Sequence, residues 1–315
     1  MGNFMLDPQA QALLDKARRE GARPLSTMVP EQARIAYRDS RFPTQPAPVV
    51  VDTLRDFFVP GSSGPIPVRE YRPMGTAKTD LLPALVFFHG GGWVVGDCDT
   101  HDVLCRELCH LAGCAVFSVD YRLGPEHPFP AAFDDALAAM TWLSRQARDL
   151  AINADCLAVG GDSAGANLAA VVALALRDAA DVSLAGQLLI YPVTDLRCAT
   201  ASYQHCGEGY VLSEQDMFYF RKHYISNPSD FTDWRASPLL ADDHSGLPPA
   251  LVLTAGFDPL RDEGRLYADQ LSAAGNAVQY ICFERQMHGF LGMGRVIDEA
   301  NTAVRLCADW LKRHL

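Results

Sequence analysis

A chain of 315 residues, 49% hydrophobic and 21% charged, has the length and balance of one large α/β domain, or of one domain with a small insertion. A net charge of −11 argues against nucleic acid and against anionic membrane surfaces as partners. Nine cysteines with no Cys-x-x-Cys pair read as free thiols in a reducing compartment, not as a disulfide framework.

His101, Cys105 and Cys109 stand at helical spacing, but no second ligand cluster answers them. A small apolar core role is preferred there to a metal site, and no metal or cofactor is expected. Residues 1–16 show no basic segment followed by an apolar one, and Leu6 stands where a myristoylation signal needs Ser or Thr. The longest apolar stretches, residues 81–88 and 168–176, are too short to span a bilayer. A soluble, cytoplasmic protein with no membrane partner is expected.

Residues 8–19 carry Leu13, Leu14 and Ala17 at helical spacing, and a second short helix is predicted near 30–40. Prolines at 24, 30, 43, 46 and 48 make residues 1–48 an N-terminal arm. It is either a flexible leader or a flap over a pocket, using Met28 and Phe42. Residues 49–59 and 66–71 alternate in polarity around a Gly-rich turn and read as an antiparallel pair at a sheet edge. A continuous apolar run at 84–88 reads as a strand buried on both faces, and ends in His89-Gly90-Gly91-Gly92-Trp93.

Beyond it the pattern alternates. Helices are predicted at 100–112, 129–146, 164–179, 262–274 and 297–313, and strands at 115–119, 156–159, 184–190, 250–254 and 277–283. With the first three strands this makes an eight-stranded, mostly parallel sheet flanked by helices. Residues 191–249 interrupt the rhythm with no strong strand. They hold a helix at 214–224 capped by Ser213, and aromatic residues Tyr203, Tyr210, Phe231 and Trp234. An insertion of that length between core strands is expected to be a lid or binding loop.

The reactive centre is read from Gly161-Asp162-Ser163-Ala164-Gly165. Gly-x-Ser-x-Gly between a strand and a helix is the pattern of a nucleophile elbow, whose flanking backbones leave no room for Cβ atoms. Alone, it reads equally well as an ordinary Gly/Ser turn. The elbow's partners must follow in the order Ser, then acid, then His. His288 lies just past the 277–283 strand, where ligand-facing residues sit in parallel sheets, whereas His314 ends a terminal helix. Among the acids, Asp262 and Glu263 are explained by the dipole of the helix they open, which leaves Asp258 for the triad. The glycines after His89 suit an oxyanion loop, joined by the N–H of Ala164. No Walker pattern and no dinucleotide-binding Gly pattern competes.

These motifs resemble the hormone-sensitive-lipase-like family of α/β-hydrolase esterases. The resemblance adds Asp120-Tyr121-Arg122-Leu123-x-Pro125-Glu126-His127-Pro128-Phe129-Pro130-Ala131-Ala132, Asp258-Pro259-Leu260-Arg261-Asp262-Glu263-Gly264 and His288-Gly289-Phe290, in order from about residue 49 to the end. It implies a catalytic domain over residues 49–315 with a helical cap built from residues 1–48 and the 191–249 insertion. It implies Ser163, Asp258 and His288 as the triad, and Gly91, Gly92 and Ala164 as oxyanion donors. It leaves Asp120 and His127 in a structural segment and Asp162 as a hydrogen-bonded brace. Trp93, Tyr191, Leu212, Phe218 and Phe290 are expected to line the substrate pocket. Two departures, Ala166 for a commoner Gly and Phe257 for a commoner Glu, remove no reacting group.

The expected activity is a serine carboxylesterase acting on short- to medium-chain acyl esters. A deacetylase or amidase acting on a specific small molecule would use the same residues. A small-molecule receptor of the same fold is disfavoured, because nucleophile, acid and histidine are all present. The apolar edge strand at 277–283 could pair with a copy of itself, so a homodimer is expected.

Overall fold

The computed structural model describes residues 5–77, 79–177 and 182–315. The sheet forms from β1 (Thr53–Gly61), β2 (Gly64–Arg72), β3 (Leu82–Phe88), β4 (Ala115–Val119), β5 (Ile152–Asp162), β6 (Gly186–Ile190), β7 (Ala250–Phe257) and β8 (Val278–Met287). Their order across the sheet is β1-β2-β4-β3-β5-β6-β7-β8. The β1–β2 and β2–β4 pairs are antiparallel and all others parallel. The predicted edge hairpin and parallel body are thus both present.

Period-two side-chain alternation builds two cores from one sheet. Ala84, Val86 and Phe88 of β3 face one cluster; Leu85 and Phe87 face the other. The first face is covered by α4 (Ala131–Arg145), α5 (Ala164–Leu176) and α8 (Arg261–Ala273), and the second by α3 (Asp102–Ala112) and α9 (Asp298–His314). Helix α5 is apolar all round, Ala-Gly-Ala-Asn-Leu-Ala-Ala-Val-Val, and twelve of its residues are buried, as a helix sunk in a core must be. The predicted extension of this helix to residue 179 runs into residues 178–179, outside the described residues.

The two segments of the arm go to different places. Helix α1 (Pro8–Arg19) docks beside β8 and α9. Asp7 caps it, the Asp7 N–H donates to the Arg285 carbonyl at 2.8 Å, and Gln9 bonds Asp298. Helix α2 (Pro30–Arg41) instead lies at the C-terminal edge of the parallel strands. Arg34 donates to the carbonyls of Val94 and Gly124 at 2.9 Å each and pairs with Glu126, while Arg38 pairs with Asp97 and Asp99.

The insertion folds as α6 (Ala201–Cys206), α7 (Glu214–Tyr224) and short 3-10 turns. Ser213 and Asp216 form a capping box on α7, and Asp216 also accepts the Ser26 N–H at 3.0 Å, tying insertion to arm. No helix among the described residues is long and apolar enough to cross a membrane.

Candidate active site

Strand β5 turns into α5 within one residue. Ser163, at that turn, has φ 56°, the left-handed region that costs a non-glycine residue about 1–3 kcal/mol. Its neighbours make the turn sterically feasible. A Cβ on Gly165 would lie 1.9 Å from the Phe88 carbonyl oxygen, so only glycine lets α5 start this close to β3.

His288 follows β8 and Asp258 follows β7, so the C-terminal ends of β5, β7 and β8 deliver the three side chains. His288 Nε2 lies 3.0 Å from Ser163 Oγ, and His288 Nδ1 lies 2.7 Å from Asp258 Oδ2. An ionised carboxylate only accepts, so Nδ1 carries the proton and Nε2 is left to accept from the serine hydroxyl. The other Asp258 oxygen accepts the Leu260 N–H at 2.9 Å, which fixes the carboxylate plane. Asp258 is fully buried, and Ser163 and His288 are only 8% and 9% exposed.

The loop after β3 reverses sharply, with Gly91 at φ 125° and Gly92 at φ 58°. The N–H groups of Gly91 and Gly92, and that of Ala164 at the first turn of α5, are not taken by other described groups. Three supports hold the loop. The Gly90 N–H donates to Asp162 Oδ1 at 2.8 Å, the Tyr121 hydroxyl donates to the His89 carbonyl at 2.7 Å, and Arg34 holds the Val94 carbonyl. Asp162 also faces His101 Nε2 at 3.2 Å. Burial alone would push the Asp162 carboxyl up; His101, Arg41 and the Gly90 N–H outweigh it and bring it down to about 2. It is therefore an ionised brace, not a proton donor. His89 stacks on Tyr121 at 4.3 Å and donates from Nδ1 to the Gly90 carbonyl. Burial, then His101 beside it, pulls its imidazole down to about 4, so it stays neutral.

The residues expected to line the pocket separate into two groups. Tyr191 is brought to the site, its ring 4.6 Å from that of His288, with Phe290 6.4 Å beyond. Trp93 is wholly buried and stacked on Tyr224 of α7 at 4.4 Å, where it joins the glycine loop after β3 to the insertion. Leu212 is buried in the same core cluster as Met217 and Phe220. Phe218 lines a cavity of about 500 Å³ walled by residues 26–30 and α7, which does not include Ser163. Another, of about 520 Å³, lies between α2 and the loop at residues 120–127 and also lacks the triad. Of the two arm residues expected in a flap, Met28 packs on the main core cluster and Phe42 is 47% exposed.

Glu263 departs from the helix-dipole reading of the sequence. It is completely buried, and its Oε1 accepts the Thr194 N–H at 2.7 Å and the Asp195 N–H at 3.3 Å. Burial pushes its carboxyl well above the usual range. It pins the start of the insertion beneath the site. Arg41 is the second residue that patterning passed over. A charged side chain in a proline-rich arm reads as solvated, yet its guanidinium is buried against the Gly289 carbonyl.

The fold and this constellation define the class, an α/β hydrolase equipped for acyl transfer. A family model described as "alpha/beta hydrolase fold" matches residues 85–292. The chain is 44% identical to the carboxylic ester hydrolase LipN of Mycobacterium tuberculosis, over 98% of this chain and 83% of that relative. It is 40% identical to an ethyl acetate hydrolase of Pseudomonas putida, over 93% and 92%. A serine-to-alanine mutant of LAE6, an α/β hydrolase from the metagenome of Lake Arreo, superposes with a TM-score of 0.94 at 43% identity, covering 98% of both chains. The chain belongs to the α/β-hydrolase family, in its hormone-sensitive-lipase-like branch, and is a carboxylic ester hydrolase.

Proposed function

We propose that Ser163, His288 and Asp258 act as nucleophile, general base and orienting acid in ester hydrolysis. The observation that carries this is the unbroken chain Ser163 Oγ–His288 Nε2 at 3.0 Å and His288 Nδ1–Asp258 Oδ2 at 2.7 Å. Ser163 Oγ attacks the ester carbonyl as its proton passes to His288 Nε2. The negative oxygen of the tetrahedral intermediate is held by the N–H groups of Gly91, Gly92 and Ala164. The bond to the alcohol then breaks, and His288 returns its proton to the leaving oxygen. Water attacks the acyl-enzyme in the same way, giving the acid and free Ser163. Asp258 stabilises the imidazolium without taking its proton.

In this reading residues 49–315 are the catalytic domain. Helix α2 and the 191–249 insertion form a cap over its C-terminal edge, supported by the Arg34 contacts and the Ser26–Asp216 bond. The tight cap, with Trp93 and Phe220 packed into the wall, favours short- to medium-chain acyl groups. The ethyl acetate hydrolase among the relatives fits that preference. The free cysteines fit a reducing cytoplasm, and the outer edge of β8 is a surface through which two copies could pair.

The test is a series of p-nitrophenyl esters from acetate to palmitate, with the matching anilides. Highest kcat/KM at two to six carbons and little anilide turnover is expected; a maximum at palmitate or on the anilides contradicts the substrate reading. Ser163→Ala is expected to lose at least about three orders of magnitude on every ester.

A further inference from the structure

A buried cation stands beside the catalytic histidine with no acid in ion-pair contact. Arg41, the last residue of α2, is 6% exposed. Its Nη1 donates to the Gly289 carbonyl at 3.5 Å, the outer limit of a hydrogen bond, and its Nε has no partner. Among the described residues no carboxylate lies within ion-pair distance of it. Asp162 is within electrostatic reach but is engaged by His101 and the Gly90 N–H. The chain has made room for this guanidinium, since a Cβ on Gly292 would lie 2.3 Å from Arg41 Nη2.

Two tyrosines complete the surroundings. The guanidinium lies over the Tyr37 ring at 5.6 Å, one helical turn earlier on α2. Tyr191, whose ring contacts that of His288, has a buried hydroxyl without a partner. Burial pushes the Tyr37 phenol up to about 12 and the Tyr191 phenol well above its ordinary value, so both are neutral donors; Arg41 opposes both shifts, which places it in their field. Buried donors are almost always satisfied, and a buried charge without a counter-ion opposes folding. Two such orphans together, beside the base and on the face of α2 turned to the site, call for an acceptor that arrives with the substrate.

We propose that Arg41 and Tyr191 form a recognition subsite for a carboxylate carried by the substrate in addition to its ester, so that the enzyme selects anionic esters. This rests on the Ser163–His288–Asp258 reading of the site. Recognition has to be local, because a net charge of −11 offers an anion no long-range attraction. Arg41 supplies the charge and a planar donor face, and Tyr191 a neutral donor that fixes the carboxylate next to His288.

The test compares matched ester pairs in wild type and variants. One pair carries the charge on the acyl side, p-nitrophenyl hemiglutarate against p-nitrophenyl methyl glutarate. The other carries it on the alcohol side, O-acetylglycolate against O-acetylglycolamide. The readout is the ratio of kcat/KM for the anionic ester to that of its neutral partner within each variant, so a general loss of activity or of folded protein cancels. Wild type is expected to prefer the anion by about tenfold or more in at least one pair, the range of a charge-assisted hydrogen bond. Arg41→Met is expected to bring that ratio to one or below, Tyr191→Phe to lower it severalfold, and Arg41→Lys to keep part of it. A wild-type ratio at or below one in both pairs overturns the proposal, as does an Arg41→Met ratio equal to wild type. Should Arg41→Met not fold, unchanged ratios in both Arg41→Lys and Tyr191→Phe overturn it equally. Failure of wild type on both neutral esters would instead count against the esterase reading.

Discussion

Replacing Gly165 by alanine isolates the geometric demand of the elbow. The added Cβ would sit 1.9 Å from the Phe88 oxygen, 2.5 Å from its carbonyl carbon and 2.6 Å from the His89 oxygen, all backbone atoms that no rotamer change can move. Real Cβ contacts do not fall below 3.0 Å, so α5 and the end of β3 must part by roughly 1 Å. That displacement acts on both halves of the proposed oxyanion site at once, because Ala164 opens α5 and residues 89–92 continue β3. A misplacement of about 1 Å at a reacting centre can cost on the order of 100-fold in rate. Overpacking of this kind costs ~1–3 kcal/mol in stability. The assay is kcat on p-nitrophenyl acetate, normalised to active sites by phosphonate titration so that unfolded protein is not counted, with urea unfolding alongside. A kcat within threefold of wild type at unchanged stability would refute the claim that the Phe88–Gly165 contact sets the spacing of the oxyanion donors.

Asp258→Asn should preserve the shape of the site but leave His288 in the wrong tautomer, lowering kcat by about four orders of magnitude; a loss below tenfold would exclude Asp258 as the orienting acid. Trp93→Ala should cost about 3–5 kcal/mol in urea unfolding, because the ring is fully buried on Tyr224; a tenfold rise in KM with unchanged stability would show instead that it contacts the substrate. Glu263→Gln tests a buried neutral acid by its pH dependence. Burial holds the Glu263 carboxyl well above its ordinary value of 4.5, so the folded chain keeps a proton that the unfolded chain releases. The contribution is therefore full below that ordinary value and declines as pH rises toward the folded value, by up to about 1.4 kcal/mol per pH unit. Glutamine retains an acceptor for the Thr194 N–H without titrating, so the variant should gain on wild type in urea unfolding as pH rises above the ordinary carboxyl value of 4.5. Parallel stability curves would mean that Glu263 is ionised in the folded protein.

The parts of this molecule legible in its sequence are those where local pattern and tertiary role coincide. The β3 and β4 runs are apolar on both faces because both faces are covered, and the order of elbow, acid and histidine follows from the strand ends that carry them. The ends of strands were less legible. Strand β7 runs to Phe257 and β8 to Met287, past the expected 254 and 283, because their pairing continues through a register irregularity between Ala255 and Phe257. The polar Glu284-Arg285 on an outer strand gave no apolar signal to follow. Strand β5 begins at Ile152, not 156, because Leu82 pairs with it across another irregularity while residues 153–155 stay partly or fully exposed. Glu263 and Arg41 were illegible for a common reason. Each is an ionisable side chain buried by residues far away in sequence, Thr194 for one and Gly289 for the other. Helical position accounts for a carboxylate at an N-terminus or an arginine in a last turn, so nothing local marks either as buried.

Whether Ser163 is the activated nucleophile can be read most directly by covalent labelling. A p-nitrophenyl alkylphosphonate presents a tetrahedral phosphorus to the oxyanion donors and, on attack, loses p-nitrophenolate to leave an adduct on the attacking oxygen. Peptide mass spectrometry of the inactivated enzyme is expected to find one phosphonyl group per chain, on Ser163, forming in step with loss of activity and absent in Ser163→Ala. A fully inactivated enzyme with the label on another residue, or an unlabelled enzyme that still hydrolyses esters, would contradict the assignment.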